Sequence, residues 1–536
     1  MNLTNDDLQK ILQILDASRY DDCRLEIGAY KLHVQKSPAV PVSCPAPPST
    51  RPGTGAGRGS TDSTVAPTTA HSDVPIRRLF VANRGEIAVR IIRACRKLGI
   101  AAVIGVSDAD RDSLGARSAD QVVRLGPAPA AKSYLDMAAV VAAASDSGCD
   151  AIHPGYGFLA ERAEFQRLCV RRGLRFIGPT ADAIEAIGDK LRARRVATEL
   201  AVPTVPGTDR VGSADDALAF GQDAGYPFLF KASAGGGGRG MRVVRSPDEV
   251  TAAFEGASAE ALAAFGDATL FIERFVERAR HVEIQVIADH HGNTVHLGER
   301  DCSTQRRHQK LIEEAPSPVL DPALRAKMTE AAVRLVRHVG YRNAGTVEFI
   351  VDMDTRAFYF LEVNTRIQVE HPVTEEVTGV DLVAEQIRVA GGASLSMNQD
   401  DVSLNGHAIE CRINAEDADH DFMPSPGRIT LWEPPAGDGI RVDTHCYPGY
   451  VIPPFYDSMI AKLIVHGPDR PTAIARTIRA LKAFRIEGIK TTIAFQLAVL
   501  GHSDFEQSLI TTRWVEEQFA RERAAAPARD TSITPA

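Results

Sequence analysis

Along the chain the spacing of apolar residues changes period several times, and each change marks an element or a boundary. Leu8, Ile11, Leu12 and Leu15 recur at helical spacing behind Thr4 and Asn5, both common helix caps. "RLEIGAYKLHV" then alternates around Gly28, which predicts a hairpin. One helix and one hairpin bury little surface, so residues 1–36 are expected to dock onto another protein rather than stand alone. Residues 37–75 contain no Leu, Ile, Phe, Tyr or Trp and are rich in Pro, Ser, Thr, Gly and Ala, the composition of a disordered linker.

At Ile76 the pattern turns into strand, helix, strand: "RRLFVANRG", "EIAVRIIRACRKLGI", "AAVIGVSDAD", then "DMAAVVAAASDSG" and "CDAIHPGYG". This repeat predicts a parallel α/β domain over 76–189. Its first turn, Asn83-Arg84-Gly85, lacks the GxGxxG spacing of a dinucleotide site. Further on, "YPFLFKASAGGGGRGMRVV" sets Gly235, Gly236, Gly237 and Gly238 between two apolar runs with Lys231 just ahead. Glycines let a backbone close on phosphate oxygens and the lysine adds charge, so the segment reads as a phosphate lid, distinct from the GxxxxGK[ST] loop. Past His407 the runs "HAIECRINAED", "GRITLWEPP" and "GIRVDTHCYPGY" predict antiparallel strands, followed by the helix "RPTAIARTIRALKAF". The fold class is therefore α/β, with an antiparallel α+β domain over 408–518 and a disordered tail over 519–536.

The most informative alternation is "FLEVNTRIQVEHPVTE", where Glu362, Asn364, Arg366, Gln368 and Glu370 occupy every second position. A strand would line all five on one face. With "GTVEFIVDMDTRAFYFLEVN" folded as a hairpin, Glu348 comes opposite Glu362 to within one register step. Facing carboxylates repel unless a cation lies between them, and two carboxylates with an amide suit magnesium or manganese. The row thus reads as a metal and anion site. "RHVEIQVIAD" sets His281, Glu283 and Gln285 on one face, and "ERDCSTQRRHQKLIEEAP" brings Gln305, His308 and Lys310 close together.

Bulk properties narrow the class. The 536 residues suggest about three or four domains. A net charge of -8 argues against a nucleic-acid footprint, although "QRRHQK" is locally basic. The eight cysteines show no CxxC spacing, as expected of reduced thiols in a cytoplasm, and no zinc site is expected. The N-terminus carries Asp6 and Asp7 rather than a basic, apolar leader, and "MAAVVAAAS" is too short to span a bilayer, so no secretion and no membrane partner are expected.

In order and spacing, "VANRGEIAVRIIRACRKLGI", "HPGYGFLAE", "GDK", the glycine lid, "ERDCSTQRRHQK", "EVNTRIQVEHPVTE" and "ECRINAED" resemble biotin carboxylase, the ATP-grasp component of biotin-dependent carboxylases. The resemblance implies an ATP-grasp domain over 190–407 with a lid at about 205–277. It implies that Lys190, Lys231, Glu273, Val276, His281, Gln305 and His308 hold ATP, and that Glu348, Glu362 and Asn364 bind two magnesium or manganese ions. Lys310, Arg366, Gln368, the Val369 backbone and Glu370 would surround bicarbonate, with Glu370 as base, and Arg412 would meet the biotin ureido oxygen. The implied reaction is carboxylation of biotin through carboxyphosphate, the first half-reaction of a biotin-dependent carboxylase, with acetyl-CoA as the expected acceptor and fatty acid biosynthesis as the setting, and with propionyl-CoA and pyruvate left open by the residues. No Met-Lys-Met tripeptide occurs, so biotin is expected on a biotin carboxyl carrier protein supplied in trans, with a separate carboxyltransferase and a homodimer as further partners. Residues 1–36 resemble the start of such carrier proteins, which implies either docking onto a carrier or carboxyltransferase or an inert remnant. Two other readings compete: another ATP-grasp ligase, such as half of a carbamoyl-phosphate synthetase, and a non-catalytic scaffold. "IQVEHPVTE" and Arg412 argue against the first, and the joint presence of Lys231, Glu348, Glu362, Glu370 and Arg412 against the second.

Overall fold

The computed structural model describes residues 22–27, 30–35, 75–208, 210–232 and 241–525. The chain divides into two units, Met1–Thr69 and Ala70–Ala536. In the first, β1 (Asp22–Ile27) and β2 (Tyr30–Gln35) form the antiparallel hairpin that the alternation around Gly28 predicts. The expected helix around Leu8–Leu15, the linker 37–75 apart from its last residue, and Gly235–Gly238 lie outside the described residues.

The second unit opens with β3 (Arg78–Val81), α1 (Gly85–Lys97), β4 (Ala101–Ser107), β5 (Gln121–Gly126), α2 (Met137–Asp146), β6 (Ala151–His153) and β7 (Arg175–Phe176). These strands form one parallel sheet in the order β5-β4-β3-β6-β7. α1 is amphipathic, with Glu86 in its first turn and Arg96 and Lys97 in its last, each charge opposing the helix-end dipole it sits on. Ile87, Ile91, Ile92 and Ala94 are its buried stripe.

A small layer follows: α3 (Ala214–Ala224), β8 (Phe228–Ala232), β9 (Met241–Val244), α4 (Val250–Phe265) and β10 (Leu270–Arg274), with sheet order β10-β8-β9. Phe228, Phe230, Val244, Leu270 and Ile272 give it a core of its own. The remaining long strands are β11 (Ala279–Ala288), β12 (Thr294–Arg306), β13 (Gln309–Ala315), β14 (Asn343–Asp352), β15 (Phe358–Asn364), β16 (His407–Asn414), β17 (Ile440–Thr444) and β18 (Met459–Gly467). They build one antiparallel sheet in the order β15-β14-β11-β12-β13-β16-β18-β17. β13 pairs with β16, so hydrogen bonding runs straight across the expected boundary at 407/408. The helices α5 (Pro322–His338), α6 (His371–Thr378) and α7 (Arg470–Ala483) pack on this sheet.

Two expectations need correction. β15 ends at Asn364, so the alternating row is not one strand: Arg366 and Gln368 lie in a loop and Glu370 is the N-cap of α6, where Pro372 sets the helix start. The first part of the tail, 519–525, is helical, because α8 (Ala520–Ala525) continues from a buried Phe519 stacked on Trp514, and Glu522 pairs with His502 at 2.9 Å; 526–536 lie outside the described residues. No described helix is long and apolar enough to cross a membrane; α2 is short and buries Val140, Val141 and Ala144. The six described cysteines are buried and unbridged.

The parallel domain and the large sheet are joined by a buried cation. Lys462 on β18 has no exposed surface, and its Nζ lies 3.0 Å from Glu86 of α1 while donating to the Val369 carbonyl at 2.8 Å. Removing one partner of a buried pair leaves the other charge uncompensated, at a cost of about 3–5 kcal/mol. Lys462→Met is therefore expected to lower the thermal midpoint clearly, as read by calorimetry; an unchanged midpoint would show that this contact does not tie the two layers.

Candidate active site

Two strands and the N-cap of α6 aim carboxylates at one buried centre, the Lys310 ammonium of β13. Its Nζ lies 2.6 Å from Glu283 on β11, 3.2 Å from Glu348 on β14 and 2.5 Å from Glu370. Burial alone would depress the lysine, but the carboxylates around it hold its pKa well above the ordinary value. Burial likewise opposes ionisation of Glu348 and Glu370, yet Lys310 with His281 for the first, and Lys310, Arg412 and Arg300 for the second, hold both below the usual carboxylate range. Both are ionised at neutral pH.

Register explains the convergence. Glu283 pairs with Glu348 across β11–β14, and Glu348 with Glu362 across β14–β15. The hairpin alignment of Glu348 and Glu362 is thus present, with a bulge at Leu361 next to it. Their repulsion is relieved by separate partners: Lys310 serves Glu348, with His281 Nε2 3.1 Å from Glu348 Oε2, and Lys190 lies 2.9 Å from Glu362. Asn364 and Gln368 each donate to Glu348 Oε1 at 2.7 Å. Arg366 donates to Asn364 Oδ1 at 3.0 Å and lies 3.3 Å from Glu161 of the parallel domain. Although the row is not one strand, its members still gather, because the loop after Asn364 folds Gln368 and Glu370 back over β14 and β13.

Glu370 holds the N-cap position without capping the helix through its side chain. One oxygen instead accepts from Lys310, and the other from Arg412 Nη2 at 2.9 Å. Arg412 Nε donates to Glu313 at 2.5 Å. The Val369 carbonyl is taken by Lys462.

The remaining predicted residues lie around this centre. Lys231 on β8 and Arg194 both pair with Glu273 on β10. Val276 is half-buried in the loop after β10. Gln305 is buried and faces Lys310 across the β12–β13 hairpin. His308 occupies the exposed two-residue turn, where both Arg307 and His308 take positive φ.

Sequence patterning gave no role to Arg300 or Glu283, yet they order the centre. Arg300 is fully buried and donates to Glu283 (2.6 Å), Gln285 (2.7 Å), Gln368 (2.8 Å), Thr374 (3.0 Å) and Thr346 (3.2 Å). The alternation of "HVEIQVIAD" carried the signal for Glu283; Arg300 sits in a strand buried on both faces, where no alternation is visible.

The site fits a hard divalent cation, since Glu348, Glu362 and Asn364 supply oxygen donors on adjacent strands, and His281, Glu283 and Glu348 bring ligand atoms within 4.8 Å of one another. Comparisons decide the family. Residues 75–184 match the "Biotin carboxylase, N-terminal domain" family, 189–398 the "Carbamoyl-phosphate synthase L chain, ATP binding domain" family, and 410–517 the "Biotin carboxylase C-terminal domain" family. A biotin carboxylase from Nostoc sp. is 54% identical over 441 residues, covering 82% of this chain and 98% of the relative. The chain belongs to the biotin carboxylase family. It is an ATP-dependent ligase, a biotin carboxylase subunit of biotin-dependent carboxylases. A pyruvate carboxylase subunit from Methanothermobacter thermautotrophicus is 51% identical, over 82% of this chain and 89% of that protein. A crystal structure of the biotin carboxylase domain dimer of Hydrogenobacter thermophilus 2-oxoglutarate carboxylase, in complex with MgADP, ADP and bicarbonate, superposes with a TM-score of 0.76 at 46% identity, covering 83% of this chain and 98% of that one.

Arg300→Lys keeps the charge but loses the planar fork that fixes five partners at once. Displacing an active-site frame by about 1 Å costs on the order of 100-fold in rate. This biotin carboxylase variant is expected to lose ATP turnover on that scale while remaining folded by circular dichroism; near-normal turnover would show that Arg300 does not order the site.

Proposed function

We propose that this subunit carboxylates biotin on a separate carrier protein, with ATP and bicarbonate, by way of carboxyphosphate. The observation that carries the reading is the position of Glu370: one oxygen on Lys310, the other on Arg412. A base must touch the proton it removes, and bicarbonate is drawn to cations. Bicarbonate held by Lys310, Arg366, Gln368 and the Val369 backbone lies against Glu370, while Arg412 on the other side meets the ureido oxygen.

The charge balance makes the base switchable. With both oxygens on cations Glu370 is a weak base. An incoming anion competes for Lys310 and Arg412, and as they turn towards it the carboxylate regains basicity. Glu370 then takes the bicarbonate proton as its oxygen attacks the γ-phosphorus. Lys190, Lys231, Glu273, Val276, His281, Gln305 and His308, with the glycine lid, hold ATP; Lys231 leaves Glu273 for a phosphate. Glu348, Glu362 and Asn364 would hold two magnesium or manganese ions, which supply charge neutralisation at the phosphoryl oxygens. Closure of the 205–277 lid excludes water, which otherwise destroys carboxyphosphate. Carboxyphosphate gives carbon dioxide and phosphate, the phosphate removes the ureido proton, and Arg412 stabilises the resulting enolate oxygen.

The protein is assigned to the cytoplasm as a homodimer, working with a biotin carboxyl carrier protein and a carboxyltransferase. Acetyl-CoA is the assigned acceptor; propionyl-CoA, and the pyruvate and 2-oxoglutarate named for relatives, are its competitors. Residues 1–36 are assigned to docking through the linker, which raises the local concentration of the partner.

Bicarbonate-dependent ATP hydrolysis stimulated by free biotin is expected of the purified chain, and Arg412→Met should abolish the stimulation by biotin. Stimulation that survives in Arg412→Met would remove Arg412 from the biotin step. Deleting residues 1–36 should reduce co-purification of carrier and carboxyltransferase; equal recovery would refute docking.

A further inference from the structure

Behind Arg412 lie two carboxyl groups that the reaction does not use. Glu313 on β13 and Glu410 on β16 are cross-strand neighbours, and neither has any exposed surface. Glu313 Oε1 accepts from Arg412 Nε at 2.5 Å, but its other oxygen has no partner, and neither oxygen of Glu410 has one. A buried, unpartnered carboxylate is costly, and a proton is the simplest compensation. Arg412 is thus contested by two carboxylates, Glu313 on Nε and Glu370 on Nη2.

The geometry points to Glu313 as a positioning residue whose charge decides how Arg412 is shared, with Glu410 beneath it kept neutral. The inference rests on the reading that Arg412 receives biotin. When Glu313 is ionised it anchors Nε and leaves the outer guanidinium edge to turn between Glu370 and substrate. When Glu313 is protonated the anchor weakens, and Arg412 closes onto Glu370, which hides the cation and suppresses the base.

The surroundings set the titration range. Facing Glu313 are Arg412, Glu410 and Cys411 from β16, Lys310 from its own strand, Cys302 from β12 and Glu370 from the α6 N-cap; facing Glu410 are Lys462 from β18, its own strand's Cys411 and Arg412, and Glu370. Burial raises Glu313, Arg412 opposes the rise and Glu370 adds to it, and its pKa stands at about 7. Burial raises Glu410 well above the carboxylate range, with Lys462 opposing and Glu313 adding. Glu313 therefore changes charge near neutrality while Glu410 retains its proton.

The test is biotin-dependent ATP turnover of the full chain from about pH 6 to about pH 8, in wild type, Glu313→Gln and Glu313→Asp. In wild type, kcat/KM for biotin should rise through about pH 7. Glu313→Gln keeps an acceptor for Arg412 Nε but cannot ionise; its profile should be flat and about tenfold lower at the alkaline end, with KM for ATP unchanged. Glu313→Asp should restore the rise. A uniform loss that keeps the wild-type rise would make Glu313 merely structural and overturn the proposal. Infrared difference spectra between the two pH limits provide a readout independent of biotin. A buried carboxylic acid band that disappears on raising the pH in wild type, and is missing in Glu313→Gln, is expected. Absence of such a band overturns the proposal even if biotin proves not to be the substrate, whereas the band without biotin-dependent turnover would fault the function and leave the charge switch standing.

Discussion

The arrangement of this protein depends on one constraint: a cluster of buried carboxylates must be neutralised before any substrate arrives. Glu283, Glu348 and Glu370 converge on Lys310, and Arg300 and Arg412 close the ring. Desolvating so many charges is unfavourable unless each finds a partner. That requirement fixes the registers of β11, β12, β13, β14 and β16, and it explains why a single sheet runs through two regions that sequence composition separates.

The same constraint suits a site for anions. Every cation assigned to a ligand is held on a carboxylate: Lys231 on Glu273, Lys190 on Glu362, Arg366 on Glu161, Lys310 and Arg412 on Glu370. Incoming phosphate or bicarbonate therefore exchanges one anionic partner for another and need not bring an isolated charge out of water. On the proposed reading discrimination follows, because a neutral ligand cannot release the lysines, and Glu370 would act as base only when its cations turn away.

Much of this was legible in the residues. The alternation at Glu348 and Glu362 showed the hairpin because both strands keep apolar residues on their other face. Period-two spacing, however, could not reveal that β15 stops at Asn364, since a loop that folds back over a sheet can keep the same alternation. Nor could it find Arg300, Lys462, Glu313 or Glu410, which lie in segments buried on both faces, where polar residues are defined by partners on distant strands. The helix over 520–525 was missed for a related reason: Phe519 and Glu522 are ordered by Trp514 and His502, contacts that local composition does not show.

The central claim is that bicarbonate, positioned between Lys310 and Glu370, attacks ATP. Bicarbonate labelled with oxygen-18 tests it most directly, with mass analysis of the inorganic phosphate released during turnover in the presence of biotin. Transfer of label from bicarbonate into the phosphate is the expected result. Phosphate whose new oxygen comes only from water would contradict the account, since ATP would then be hydrolysed without bicarbonate as the nucleophile.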